Sequence, residues 1–296
     1  MKILLIGGSQ FIGKAILKEF LGDLDRHEIS VFNRGNTKIS QVSSVNWYKG
    51  DRKEGFGNVA NSKFDLVIDT CAFKPTDFKH INQLSFEQYI FISSTAVYEP
   101  LSIGEITENG ALKNVEFLHN LSETDLTDLP VNDSTYGPLK ILAEQRLKSF
   151  TQNSIIIRPC VVLGQNENTS RLKNLFKIAS NSRHLLSPKS EDLNFQYIDV
   201  FDLAKLVLNI SRLNKNGTYN LCAPPIKWNS FMKSVSELLK SPLILNEKEE
   251  TFDIPFLKYS KQLGSSYYTS IHAEIRQFDF TSIKSTLLSY QNSTIH

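Results

Sequence analysis

Lys2-Ile3-Leu4-Leu5-Ile6-Gly7-Gly8-Ser9-Gln10-Phe11-Ile12-Gly13 places an aliphatic run, a glycine pair and a third glycine at the start of the chain. A short unbroken apolar run ended by glycine predicts a strand over Lys2 to Ile6, because a strand covered on both faces shows no alternation. Phe11, Ala15, Ile16, Phe20 and Leu21 follow at helical spacing, which predicts a helix over Phe11 to Leu21 with those residues toward the sheet. Gly7 suits the tight turn out of the strand and Gly13 the close packing of helix on sheet. The unpaired N–H groups of the helix N-terminus, at Ser9, Gln10, Phe11 and Ile12, then face a phosphate. A purely structural strand-to-helix turn is the alternative.

Outward from that stretch, short aliphatic runs recur. Strands are expected at Glu28 to Phe32, Val45 to Tyr48, Phe64 to Asp69, Tyr89 to Ser93 and Ser154 to Arg158, the last after a helix from about Thr135 to Phe150. Strands alternating with helical stretches imply a parallel sheet, so the fold class expected is α/β, a Rossmann-type doubly wound sheet with a smaller C-terminal substrate lobe. The sheet domain is placed at 1–160 with 195–215 returning to it, and the lobe at 161–194 and 216–296. In the later part, helices are expected near Arg171 to Ser180, Val200 to Ser211 and Trp228 to Leu239, and strands at Phe195 to Asp199 and Thr218 to Leu221. Glu99 to Asp133 carries eight acidic residues against the single Lys113. So long a polar connection is read as a lid, a binding loop or a disordered excursion.

Composition excludes more than it identifies. A chain of 296 residues, 41% hydrophobic, can bury a full core. A formal charge of +2 lacks the basic excess of a nucleic-acid binder. Cys71, Cys160 and Cys222 form no CxxC pair, and the six histidines show no ligand spacing, so neither a disulfide framework nor a metal site is expected. The apolar start is too short for a signal or membrane segment, and a soluble cytoplasmic protein is expected. Arg171, Arg183, His119, His184 and Lys14 are read as surface residues.

Chemistry-bearing groups follow the strand ends. After the second strand, Asn33-Arg34 stands where an acid would bind the adenosine ribose and repel a 2′-phosphate, so NADP is preferred over NAD. Asp51 either accepts from the adenine amino group or is a turn residue. The fifth strand runs into Ser93-Ser94-Thr95-Ala96-Val97-Tyr98, at the sheet edge where open α/β sheets bind ligands. Tyr136-Gly-Pro-Leu-Lys140 puts phenol and ammonium on one helical face. A phenol near pKa 10 is a poor base at neutral pH, and an adjacent ammonium favours its ionised form.

Taken together these residues resemble the extended short-chain dehydrogenase/reductase family, the NAD-dependent epimerase/dehydratase type. Arg158-Pro159, Tyr197-Ile-Asp-Val-Phe-Asp-Leu-Ala204 and Gly217-Thr-Tyr-Asn220 continue the likeness over about residues 1–222. Phe32 to Gly35, Gly50 to Arg52, Asp69 to Cys71 and Thr135 to Lys140 resemble a subgroup of bacterial epimerase-like proteins and chloroplast stem-loop RNA-binding relatives. The resemblance implies Tyr136 as general acid/base, Lys140 as its electrostatic partner and holder of the nicotinamide ribose, and Ser94 as binder of the reacting oxygen. It adds Thr70, Cys71 and Pro159 to the cofactor-binding residues. Gln10 stands where the subgroup carries Arg, and its side chain either turns outward or itself meets a phosphate oxygen.

Thr95-Ala96 replaces the Asp-Glu pair of the family's dehydratases, which disfavours dehydration. Hydride transfer at a carbinol or carbonyl carbon of a small molecule remains, as a reductase or a nucleotide-sugar-type epimerase. RNA binding without redox catalysis is the alternative from another class, opposed by the acidic 99–133 stretch and the lack of a basic run with aromatics. A homodimer and no membrane association complete the expectations.

Overall fold

In the computed structural model, residues 1–37, 43–100, 103–182, 184–187, 193–213, 215–247 and 265–294 are described. Arg183 lies outside them. The chain divides into two compact units, the first made of 1–99, 110–159 and 203–220, the second of 100–109, 160–202 and 221–296.

The first unit is built on strands β1 (Lys2–Ile6), β2 (Glu28–Asn33), β3 (Val45–Lys49), β4 (Lys63–Asp69) and β5 (Ser85–Ile92), with helix α1 (Phe11–Leu21) after β1. Next in the chain come β6 (Ile103–Ile106), the short helices α2 (Glu116–His119) and α3 (Glu123–Asp128), α4 (Tyr136–Phe150) and β7 (Ser154–Pro159). Beyond β7 lie β8 (Val161–Leu163), α5 (Arg171–Asn181), β9 (His184–Ser187), β10 (Asn194–Phe195), β11 (Tyr197–Asp199), α6 (Val200–Ser211) and β12 (Gly217–Leu221). A parallel seven-stranded sheet results, in the order β12-β7-β5-β4-β1-β2-β3. This is the expected Rossmann-type sheet, and its order reverses between β1 and β4. Ile3 to Ile6 and Ile155 to Ile157 are no more than 1% exposed, as a sheet covered on both faces requires. Under one face Phe56, Phe64, Phe78, Tyr89 and Phe91 pack as one cluster.

Three features depart from the sequence expectation. The connections from β3 to β4 and from β4 to β5 carry single 3₁₀ turns at Gly57–Asn61, Pro75–Phe78 and Ile81–Gln83, not helices. Gly55 and Gly57 both take positive φ, and Pro75 can only begin a turn there, so neither segment sustains a helix. The acidic stretch is ordered over its described residues 103–133, against the disordered alternative: Tyr98 bridges to Leu112, Ser122 and Asp125 cap α3 reciprocally, and Lys74 Nζ donates to the carbonyls of Thr127 and Leu129. A cation at the last carbonyls of α3 satisfies groups that the helix leaves unpaired. Finally, β12 is an edge strand of the large sheet, and 203–220 groups with it, whereas the lobe, placed at 161–194 and 216–296, was expected to resume at 216.

The second unit has its own core, in which Trp228, Phe231 and Met232 of α7 (Trp228–Leu239) meet Phe195, Tyr197, Leu175 and Leu287. The strand expected over 195–199 is broken at Gln196. Its carboxamide donates to the carbonyls of Ala223 and Tyr268 and accepts from the Tyr268 N–H, so the side chain replaces a ladder bond. No helix among the described residues is long and apolar enough to cross a membrane.

Candidate functional site

At the reversal point of the sheet, the turns after β1 and β4 lie side by side. Thr70 joins them: its N–H and its hydroxyl both donate to the Ile6 carbonyl, at 3.0 and 3.1 Å. A Cβ on Gly7 would stand 2.2 Å from Thr70 Oγ1, and one on Gly13 would stand 2.5 Å from the Gly8 nitrogen. Gly7 and Gly8 also take φ of 112° and 83°, a region that side chains avoid. Three glycines, not two, are therefore required, and Gly8 was missed because only the outer pair fits the familiar spacing. Phe11 opens α1 at φ 35°, a strained value for a residue with a Cβ, while its ring is buried. Gln10 turns outward, with Nε2 donating to Thr37 Oγ1 at 2.8 Å, and Ser9 and Ile12 are half-buried on the same turn.

Beside this turn, α4 carries Tyr136 and Lys140. Lys140 is buried and donates to the carbonyls of Ala72 and Ile92 at 2.7 and 2.8 Å, linking the loop after β4 to the end of β5. Its Nζ lies 5.9 Å from the Tyr136 ring centre and closer still to the rings of Phe73 and Phe91. Ser94 begins the 3₁₀ turn Thr95–Val97, and its hydroxyl accepts the Ala96 N–H at 3.1 Å. Gly137 brings α4 against that turn, since a Cβ there would stand 2.1 Å from the Ala96 carbonyl oxygen. A backbone carbonyl cannot swing aside as a flexible side chain would. Gly137→Ala should therefore cost about 2–3 kcal/mol and separate Tyr136 from the Ser94 turn, to be read by urea denaturation beside the parent.

Burial pulls the Lys140 ammonium down from its ordinary 10.5 to about 8, with Asp69 and then Glu144 opposing. The sign follows from proton counting. The folded state holds fewer protons than the unfolded one between these two values, so the cost of burying the charge is full below pH 8 and fades as pH rises to 10.5. The stability of the parent minus that of Lys140→Met is thus expected to be flat below pH 8 and to rise by on the order of 3 kcal/mol across that window. Urea titrations of both proteins at several pH values measure it. A flat difference throughout would mean that Lys140 titrates normally.

Two buried ion pairs flank Lys140, and sequence reasoning assigned neither. Arg52 binds Asp69 through both guanidinium nitrogens, at 3.0 and 2.8 Å, and its Nε donates to the Asp77 carbonyl. Asp69 also accepts from the Tyr89 hydroxyl and from the N–H groups of Cys71 and Ala72. It thereby fixes the loop whose Ala72 carbonyl receives Lys140. Burial penalises both charges, yet each partner holds the other ionised: Arg52 keeps Asp69 below the ordinary carboxylate range, and Asp69 keeps Arg52 well above its own. Farther along the edge, Glu144 accepts from Arg158 Nε and Nη2 and from the Ser93 hydroxyl. Arg158 Nη1 donates to the Tyr98 hydroxyl, which donates to Asn220. The Gly50 to Arg52 and Asp69 to Cys71 motifs thus share one salt bridge, and Arg158-Pro159 shares a network with the Gly217 to Asn220 strand.

On the other side of the glycine turn, Asn33 Oδ1 accepts the Gly35 N–H, while its Nδ2 is buried with no acceptor among the described residues. Arg34 is exposed. Asp51 accepts the N–H of Lys53, two residues on, as a turn aspartate does. Cys71 Sγ lies 3.8 Å from Arg52 Nη1, and Pro159 ends β7. Among the described residues, no group of three His, Cys, Asp or Glu could hold a metal.

No family model and no curated protein matches the sequence. Solved structures do resemble the fold. UDP-N-acetylglucosamine 4-epimerase from Methanobrevibacter ruminantium, in complex with UDP-N-acetylmuramic acid, is similar over 99% of this chain and 98% of that one, at TM-score 0.72 and 16% identity. UDP-glucuronic acid 4-epimerase from Bacillus cereus, in complex with NAD, is similar over 99% and 98%, at TM-score 0.70 and 13% identity. A UDP-glucose 4-epimerase is similar over 100% and 98%, at TM-score 0.69 and 14% identity. At these identities the likeness is one of fold, and this chain has the Rossmann-type α/β fold that those epimerases have.

Proposed function

We propose that the protein is an NAD(P)-dependent enzyme of the extended short-chain dehydrogenase/reductase type that epimerises a carbinol carbon of a nucleotide-linked sugar. The observation that carries this reading is the packing of Gly137 on the Ala96 carbonyl. It sets Tyr136 and Lys140 beside the Ser94 turn, next to the glycine turn at the reversal point of the sheet.

A dinucleotide fits the residues present. Gly7, Gly8 and Gly13 let the turn close tightly on Thr70, Leu5 and Val31, and the start of α1 offers its N–H groups to a pyrophosphate. Ser9, Gln10, Phe11 and Ile12 line that turn. Asn33 Nδ2, without an acceptor among the described residues, and the exposed Arg34 stand where the adenosine ribose would lie. The absence of an acid at Asn33 supports a tolerance for the 2′-phosphate of NADP, while the Bacillus cereus epimerase holds NAD. Thr70, Cys71 and Pro159 complete the cofactor-binding set, and Asp51 is assigned to the adenine end.

When bound, the nicotinamide supplies the hydride acceptor and donor. Tyr136 would take the hydroxyl proton of the sugar and return it, and the Lys140 charge would favour the phenolate. Ser94 would hold the reacting oxygen. Phe73, packed against both Tyr136 and Lys140, would keep water from the ammonium.

Native mass spectrometry of the purified protein, with a thermal-shift panel of NAD, NADP and UDP-sugars, tests the reading. A co-purifying or stabilising dinucleotide is expected, together with its loss in Gly13→Val. A parent protein that neither retains nor responds to any dinucleotide would sink the proposal.

A further inference from the structure

Two of the three cysteines lie where the chain enters the second unit, at Cys160 directly after Pro159 and at Cys222 one residue after the Asn220–Leu221 crossing. The strands that lead to them, β7 and β12, are neighbours in the sheet. The Cys160 N–H donates to the Leu221 carbonyl. In a parallel ladder a residue whose N–H bonds to carbonyl j−1 stands opposite residue j, so Cys160 stands opposite Cys222. Directly opposed residues of adjacent strands have Cα atoms roughly 5 Å apart, inside the range a disulfide spans. Their side chains also leave the sheet on the same face.

We propose that Cys160 and Cys222 are a peroxide-responsive dithiol site that closes to a reversible disulfide. Burial, and after it the neighbouring Cys160 thiol, pushes the Cys222 thiol up. Cys160 is the more accessible of the pair, partly buried where Cys222 is fully so, which makes it the first of the two to meet an oxidant. Its thiolate attacks one oxygen of hydrogen peroxide, the O–O bond breaks, and water leaves once the departing oxygen has taken a proton. The Cys222 sulfur then attacks the resulting sulfenic sulfur, the S–O bond breaks, and the departing hydroxide takes the Cys222 proton. Two thiols and one peroxide give one disulfide and two waters, with two electrons passing from sulfur to peroxide. The bond would tie the strand end bearing Arg158 to the one bearing Asn220, the two residues that hold the Tyr98 hydroxyl.

The site needs no assumption about the reaction catalysed, and its test needs no substrate. Full-length protein is treated with hydrogen peroxide or with dithiothreitol, quenched in acid, unfolded, alkylated and digested with trypsin. Because Arg158 precedes proline, the cysteines fall in peptides 149–171 and 216–227, with Cys71 in 64–79 as an internal control. The expected result is a linked 149–171/216–227 pair, about a tenfold fall in alkylation of both cysteines with Cys71 unchanged, and full reversal by dithiothreitol. Cys160→Ser, at a partly buried position, should abolish the linked pair. Undiminished alkylation after peroxide would overturn the proposal. So would Cys160 oxidised to sulfinic acid without a partner, or a link from either cysteine to Cys71.

Discussion

Tyr136→Phe is expected to fold as the parent does and to lose the proposed epimer interconversion by about 10²–10⁴-fold, the range for removing a positioned acid/base. The ring keeps its place against Phe73, 6.1 Å between centres, because the substitution removes one oxygen and no apolar surface. Stability should therefore change by less than about 1 kcal/mol. The α4 geometry set by Gly137 and the Lys140 bonds to Ala72 and Ile92 are also untouched, so dinucleotide retention should persist. Chromatographic separation of the epimers gives the rate, and native mass spectrometry gives the retention. A variant that binds dinucleotide and keeps more than about a tenth of the parent rate would remove Tyr136 from the proton path.

Glu144→Ala should destabilise the protein by about 3–5 kcal/mol, the cost of stripping a buried charge of its partner. Arg158 is 3% exposed and makes two of its three side-chain bonds to Glu144, and the Ser93 hydroxyl loses its acceptor as well. Such a loss takes a large part of the roughly 5–15 kcal/mol by which a domain is stable. Replacing both partners, as Glu144→Leu with Arg158→Met, should recover most of it, because no charge is then left buried alone. Urea denaturation of Glu144→Leu, Arg158→Met and the double variant gives the coupling directly, with Glu144→Ala measured beside them. Equal effects for Glu144→Ala and the double variant would show that the guanidinium finds water or another acceptor. The comparison also separates fold from chemistry, since neither residue is assigned to touch substrate.

What the sequence determined by itself was whatever repeats at short range. Lys2–Ile6 with Phe11–Leu21, Ser154–Pro159 and Trp228–Leu239 announce themselves by apolar runs or helical spacing, and a parallel sheet follows from their order. The spacing of Gly7 and Gly13 and the Tyr136-x-x-x-Lys140 step are short-range features of the same kind, while the roles of Ser94, Tyr136 and Lys140 come from the family resemblance. The tertiary structure decided what depends on distant residues meeting. Arg52 and Asp69 are 17 positions apart, and Arg158 and Tyr98 are 60, so no local period marks them as partners. Lys140 reads as a lysine four residues after a tyrosine, yet its depressed titration comes from burial between the loop after β4 and the end of β5. Gly8 and Gly137 were ordinary glycines until Leu5 and Val31, and the Ala96 carbonyl, were found where their Cβ atoms would go. The opening glycine stretch keeps its weight for a related reason: Thr70, from the neighbouring strand, closes the space that makes those glycines obligatory.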